Sequence, residues 1–263
     1  MTPAIMGSRG RAWLLGCPLD PLTLDDTVAA IDGAVAERRS IQHSALNAAK
    51  LVRIQSDETL RAAVVGSELV TADGQAIVWA ARLLGQSVPE RVTGIDLFES
   101  LLARAARRGY GVYILGGRAT VADRAAAEIR ARYPGIRLVG YRHGYFGRDE
   151  EGAVVEDIRG AQPDLLFVAL ETPVKETFLA RHRDRIGAPF VMGIGGALDI
   201  LAGERRRAPR LLQRLGLEWG YRLAQDPRRL ARRYLVGNSV FIWLVLRELA
   251  ARPSAARAAE VPR

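Results

Sequence analysis

The chain has 263 residues, about half of them apolar, a formal net charge of +9 and a single cysteine, Cys17. Such a chain can bury a full core, and one cysteine excludes an internal disulfide, so the sequence reads as a globular protein suited to a reducing compartment. The charge implies an anionic partner: nucleic acid, a phosphorylated metabolite or a membrane surface.

Near the start, Arg9 and Arg11 precede the apolar run Trp13 to Cys17, which is too short for a signal-peptide core and is stopped by Pro18. No secretion is expected. From about residue 40 to 200 strand-like and helix-like segments alternate. Ile41 to Leu46, Leu69 to Thr71, Val112 to Leu115, Ile136 to Val139, Leu165 to Leu170 and Phe190 to Ile194 read as strands. Asp57 to Val65, Ile95 to Arg107, Val121 to Tyr133, Glu150 to Arg159 and Lys175 to Arg185 read as helices. This alternation predicts an α/β, Rossmann-like domain over residues 1–203, a mostly parallel sheet with helices on both faces.

Ligands of such folds bind at the carboxyl ends of strands, where three glycine turns fall: Gly116-Gly117, Gly144-Tyr145 and Gly195-Gly196. Each could be only a tight turn; together they suggest backbone N–H groups that meet a phosphorylated ligand. Asp199 would hold a ribose hydroxyl or cap a turn. There is no Gly-x-Gly-x-x-Gly fingerprint and no Walker A sequence, so nicotinamide and ATP chemistry have no local support. His43, His143 and His182 lack metal-ligand spacing.

After Gly203 only helical patterns remain: Leu211 to Leu217, Trp219 to Ala224 and Pro227 to about Leu249. Residues 204–250 thus read as an arginine-rich helical appendage, and residues 251–263 as a disordered tail. The run Val240 to Leu246 is far short of a bilayer span. It would lie on a membrane surface, or pack on the domain or on a second subunit of a homo-oligomer. No aromatics alternate with the arginines as a single-strand stacking platform needs, which ranks nucleic acid last among the partners.

Asp73 is the candidate catalytic base. It stands between the strand ending at Thr71 and the helical period from Ala76 to Leu84, and the competing reading of that position is a helix N-cap. Arg91 and Asp96 would form an ion pair that orders their loop or line a pocket, with Asp96 a helix cap; Glu218 and Trp219 would anchor the appendage.

Ala72-Asp73-Gly74, Pro89 to Leu97, Tyr133-Pro134-Gly135, Gly144-Tyr145-Phe146, Gly193 to Asp199, Arg207-Ala208-Pro209 and Leu217 to Leu223 come in the order and spacing of a known set. Over residues 40–240 the chain resembles the WecG/TagA/CpsF glycosyltransferase family. The resemblance implies an inverting transferase on the cytoplasmic face of the plasma membrane. It would move N-acetylmannosamine, its uronic acid or glucose from a UDP-sugar to a polyprenyl-diphosphate-linked sugar, in surface polysaccharide synthesis. Asp73 would then be the base, with Asn47 in the same pocket. Arg222, Arg229 and Arg232 would reach the lipid diphosphate or donor phosphates, and their spacing would align them on one continuous helix if Pro227 allowed it.

With no Asp-x-Asp motif, no metal and no cofactor are expected. Two departures stand out. Glu171 replaces a glycine and Val174-Lys175 replace Lys-Gln in the family's Gly-x-Pro-Lys-Gln-Glu, and Ala45 stands where a threonine is usual. They motivate a rival reading, a non-catalytic nucleotide-sugar-binding regulator or scaffold; a basic nucleic-acid-binding protein is a second.

Overall fold

A computed structural model describes residues 10–251 except Leu215; the side chains at 214, 222, 229, 230 and 232–234 lie outside the described set. The expected tail from 252 onward also lies outside it. The chain opens with a hairpin of β1 (Ala12–Leu14) and β2 (Cys17–Leu19). Its turn places Leu15 and Gly16 at positive φ, as a two-residue hairpin loop requires. α1 (Leu24–Ala36) begins at a capping box in which Thr23 and Asp26 satisfy each other's backbone N–H groups.

β3 (Ile41–Leu46), α2 (Ala48–Ile54), α3 (Glu58–Val65), β4 (Leu69–Ala72) and α4 (Gln75–Leu83) build the first half of the sheet domain. α5 (Gly94–Arg108), β5 (Gly111–Gly116), α6 (Ala119–Arg132), β6 (Arg137–Arg142), α7 (Glu151–Ala161), β7 (Leu165–Ala169), α8 (Val174–Ile186) and β8 (Phe190–Gly193) build the second. α9 (Ala197–Leu201), α10 (Arg210–Arg214), α11 (Glu218–Gln225) and α12 (Pro227–Ala251) follow.

The larger sheet has six strands in the order β4-β3-β8-β7-β5-β6, all parallel. Its central strands are buried on both faces, which is why they read as unbroken apolar runs. Alternate residues feed opposite cores. Ile114, Phe167 and Met192 join Phe98, Leu101 and Leu102 of α5 on one face. Leu115, Val168 and Val191 join α7 and α8 on the other. A third core on the β3–β4 side gathers Leu46, Val70 and Leu51 with the hairpin and with Phe241, Leu244 and Val245 of α12. The last helix therefore rests its apolar half on the sheet domain.

The fold is the expected Rossmann-like α/β class with a C-terminal helix. All six strands lie where they were expected, within a residue or three at their ends. The hairpin, α1 and α2 were not anticipated. The separate helical segments expected on either side of Pro227 are found, so Arg222 lies in α11 and Arg229 and Arg232 in α12, and the three do not share one continuous helix. A proline at a first helical position lacks only an N–H that would have no partner there, so it begins a new helix rather than extending the old one.

Candidate functional site

Because every strand of the sheet runs the same way, all carboxyl ends share one rim. β5 connects outward to β6, whereas β7 connects the opposite way to β8, so the winding reverses between β5 and β7. Such reversals open a crevice beyond the strand ends. Asn47 and Asp73, which follow β3 and β4, lie on this rim to one side of β8.

Asp73 does not cap α4. Gly74 holds the cap position at φ +124° with no side-chain hydrogen bond to the first turn. That left-side backbone value, open to glycine, leads the chain into the helix one residue after Asp73. The Asp73 N–H donates to Leu46 O at 2.8 Å, which pins the residue across the ends of β3 and β4. Its half-buried carboxylate accepts from Asn47 Nδ2 at 3.3 Å. Asn47 is itself the N-cap of α2, its Oδ1 accepting from Lys50 N–H at 3.0 Å. That bond fixes which end of the amide is oxygen and turns the NH2 group toward Asp73.

Two of the glycine turns hold strand ends against each other. A Cβ at Gly116, where φ is +136°, would sit 2.5 Å from Ala169 O, so the side chain is absent because two backbones touch. Gly117 N–H donates to Ala169 O at 3.3 Å and Gly144 N–H to Gly117 O at 2.8 Å. These glycines bring the ends of β5, β6 and β7 together, with two of their N–H groups used within the chain. The Tyr145 side chain is exposed and its N–H donates to His143 Nδ1 at 3.3 Å. Gly195 and Gly196 form the turn from β8 into α9, and Asp199 O accepts from Glu204 N–H at 2.9 Å to close the turn after it.

Arg91 does not pair with Asp96. Its guanidinium meets Glu218 at 3.1 Å, which ties the loop before α5 to the first residue of α11. Asp96 is not the cap either: Thr93 is, and Asp96 sits three residues on, accepting from the Thr93 hydroxyl at 2.6 Å and pairing with Arg207. Glu218 thus anchors the appendage as expected. Gly216 lies against α4, since a Cβ there would be 2.8 Å from Gln75 Cβ and 3.9 Å from Trp79. The appendage is seated beside the helix that Asp73 precedes. The backbones of Arg222, Arg229 and Arg232 are helical, but their side chains lie outside the described residues.

Sequence reasoning missed a buried charge cluster behind Asn47. Lys50 Nζ meets Glu176 Oε1 at 2.9 Å and Lys175 Nζ reaches the same oxygen at 3.3 Å. Burial pushes the Glu176 pKa up, but the two ammonium groups outweigh it and hold the carboxyl below its ordinary value. Lys50 and Glu176 are far apart in sequence, and no local pattern announces their meeting.

His43 is a core residue of β3, with Nε2 2.9 Å from Thr71 Oγ1 and Nδ1 without a partner. Burial, reinforced by Lys50, pushes its pKa down to about 3. His182 pairs with Glu151 at 3.1 Å. Among the described residues no three His, Cys, Asp or Glu side chains come together as a metal site.

On α12, Ile242, Trp243 and Leu246 are exposed while Phe241, Leu244 and Val245 are buried. Arg247 stacks over the Trp243 ring, 4.7 Å from its centroid. Among the described residues no helix is long and apolar enough to cross a membrane. The rim, its Asn47–Asp73 pair and the docked helical appendage all fall inside residues 12–255, which match the sequence model of the glycosyl transferase WecG/TagA/CpsF family. That match spans nearly the whole chain, and the protein belongs to this family of glycosyltransferases of polysaccharide biosynthesis.

Proposed function

We propose that the protein transfers a sugar of the N-acetylmannosamine, N-acetylmannosaminuronic acid or glucose type from a UDP-sugar to a polyprenyl-diphosphate-linked sugar. The acceptor hydroxyl attacks the anomeric carbon in line, the bond to UDP breaks, and the configuration inverts. Asp73 takes the hydroxyl proton during the attack. One observation carries this reading: a half-buried carboxylate at the strand rim that caps no helix and is oriented by an asparagine whose own amide is fixed.

The departing diphosphate needs positive charge and oriented dipoles, which can stabilise developing charge by several kcal/mol, on the order of an oxyanion hole. Arg222, Arg229 and Arg232 are assigned to this role, or to the lipid diphosphate, with no metal. Arg91 serves mainly by holding Glu218 and hence the appendage. A short-chain polyprenyl-diphosphate sugar and a panel of UDP-sugars, assayed by mass spectrometry with EDTA present, tests the reaction. One donor is expected to give a product one sugar heavier. UDP binding without any transfer would instead favour the regulator or scaffold reading, which Glu171 and Ala45 motivate.

We also place the protein on the cytoplasmic membrane surface through α12. The exposed face carries Ile242, Leu246 and an interfacial tryptophan next to an arginine, a composition suited to anionic headgroups. Truncation would strip Phe241 and Leu244 from the core, so point variants are the better test. Full-length protein is expected to float with anionic liposomes, and Ile242→Ser with Trp243→Ser to reduce the floated fraction about fivefold or more, each buried methylene lost being worth roughly 0.8 kcal/mol. Equal flotation of the double variant would remove α12 from the contact.

A further inference from the structure

Polar contacts rather than burial hold α10 and α11 to the sheet domain. From residue 209 to 240 none of the described residues is buried, and Leu211 and Leu217 are exposed. Elements that bury so little apolar surface are the first to open. Their placement therefore depends on ion pairs and hydrogen bonds.

These contacts converge on three consecutive residues, Arg206, Arg207 and Ala208. Arg206 O accepts from Gln225 Nε2, at the end of α11, at 3.1 Å, and Ala208 O accepts from Gln213 Nε2 of α10 at 2.6 Å. The Arg207 side chain between them pairs with Asp96 and, at 3.4 Å, with Glu99, both near the start of α5. Its buried Nε has no hydrogen-bond partner among the described residues, and Glu218 Oε1, at the start of α11, stands 3.9 Å from it. One side chain thus faces three carboxylates from two elements, a task suited to the several fixed donors of a guanidinium.

The contacts continue to the strand end that carries Asp73. Arg91 holds Glu218 from its other side, at 3.1 Å. The next residue, Val92, donates its N–H to Ala72 O at 2.9 Å, and its carbonyl accepts from the Thr71 hydroxyl at 3.3 Å. Glu218 therefore stands between Arg207 and a loop that is bonded to β4 one residue before Asp73.

We infer that Arg207 is a positioning residue for sugar transfer. With Glu218 it sets the placement of α11, and so of the backbone that carries Arg222 and leads into α12, against the strand end that carries Asp73. It acts through the appendage and not on the substrate. Its bearing on transfer rests on the reading above; its fastening of α11 does not.

Hydrogen exchange and steady-state transfer kinetics of the full chain test this in wild type, Arg207→Gln and Glu218→Gln, with competent sites counted by UDP titration. In both variants the amides of residues 218–225 are expected to exchange about tenfold faster or more, and those of β7 to be unchanged. The kcat per UDP-binding site is expected to fall about tenfold or more, with KM for the UDP-sugar within about threefold, as for catalytic groups held slightly out of place. Counting sites separates a misplaced appendage from a partly unfolded sample. Should Arg207→Gln fail to fold, Glu218→Gln makes the same test from the α11 side. Unchanged kcat per site would overturn the inference, as would unchanged exchange over residues 218–225. The two readings separate: faster exchange in the variants of a wild type that transfers nothing would leave the fastening standing and the transfer reading fallen. Unchanged exchange in the variants of an active wild type would do the reverse.

Discussion

Asp73→Asn is expected to lower the turnover of sugar transfer about a thousandfold, within the 10²–10⁴ that a positioned general base supplies. The variant keeps shape and size, and its amide oxygen can still accept from Asn47 Nδ2, so the rim should keep its geometry. What it loses is the capacity to accept a proton. UDP affinity is therefore expected to stay within about twofold, and the loss to appear in kcat rather than KM, as for an interaction made only in the transition state. Single-turnover product formation followed by mass spectrometry, with UDP binding measured in parallel, reads both quantities. A fully active Asp73→Asn would end the assignment, and because Gly74 rather than Asp73 caps α4, no capping role would remain to take its place.

Mild acid should destabilise the protein through His43. Its pKa is about 3 in the fold against 6.5 for an ordinary histidine, because the ring is buried and Lys50 lies near it. Between those values the unfolded chain binds a proton that the folded chain refuses. Stability is therefore unaffected above pH 6.5 and falls as pH drops through the window, by up to about 1.4 kcal/mol per pH unit. Glu176 is likewise held below its reference of 4.5; its contribution is present above that value and is lost only below it. The interval from pH 6.5 to 4.5 thus isolates the histidine, and a loss of roughly 2 kcal/mol is expected across it. Urea unfolding at stepped pH measures the slope, which His43→Gln, unable to titrate, should flatten. A variant slope as steep as the wild type's would show that other groups carry the acid sensitivity. The strain would fall on β3 and β4, the strands that carry Asn47 and Asp73.

Much of the sheet was legible because its central strands are apolar runs buried on both faces; Leu165 to Ala169 and Phe190 to Met192 need no context to be seen. The hairpin was hidden because Pro18 looked like a stop, whereas it lies inside β2. α1 carried a readable capping box, Thr23-x-x-Asp26, that the search for alternation beginning at residue 40 passed over. α2 is only seven residues long, too short for a periodic signal. At the site, Asn47 and Asp73 could be named through ordered motifs, but their contact joins two strand ends and needs the sheet. The same holds for Arg91, whose partner proved to be Glu218 in a different helix rather than the nearby Asp96. Lys50 and Glu176 were out of reach altogether, because pairing across a fold leaves no mark on either local sequence.

The strand order has a consequence for synthesis. β3 and β4 join the rest of the sheet only through β8, whose residues 190–193 are made long after Leu46. Until β8 leaves the ribosome, the β3–β4 pair and the β7-β5-β6 group each present an unfilled sheet edge, with Asp73 on one piece and Gly116 on the other. Long-range parallel pairing of this kind is slow and exposes apolar edges while it waits. The nascent chain therefore has no assembled rim, and no means of binding donor, until about three quarters of it has been translated. Ribosome-stalled chains ending before Phe190 would be the ones that aggregate.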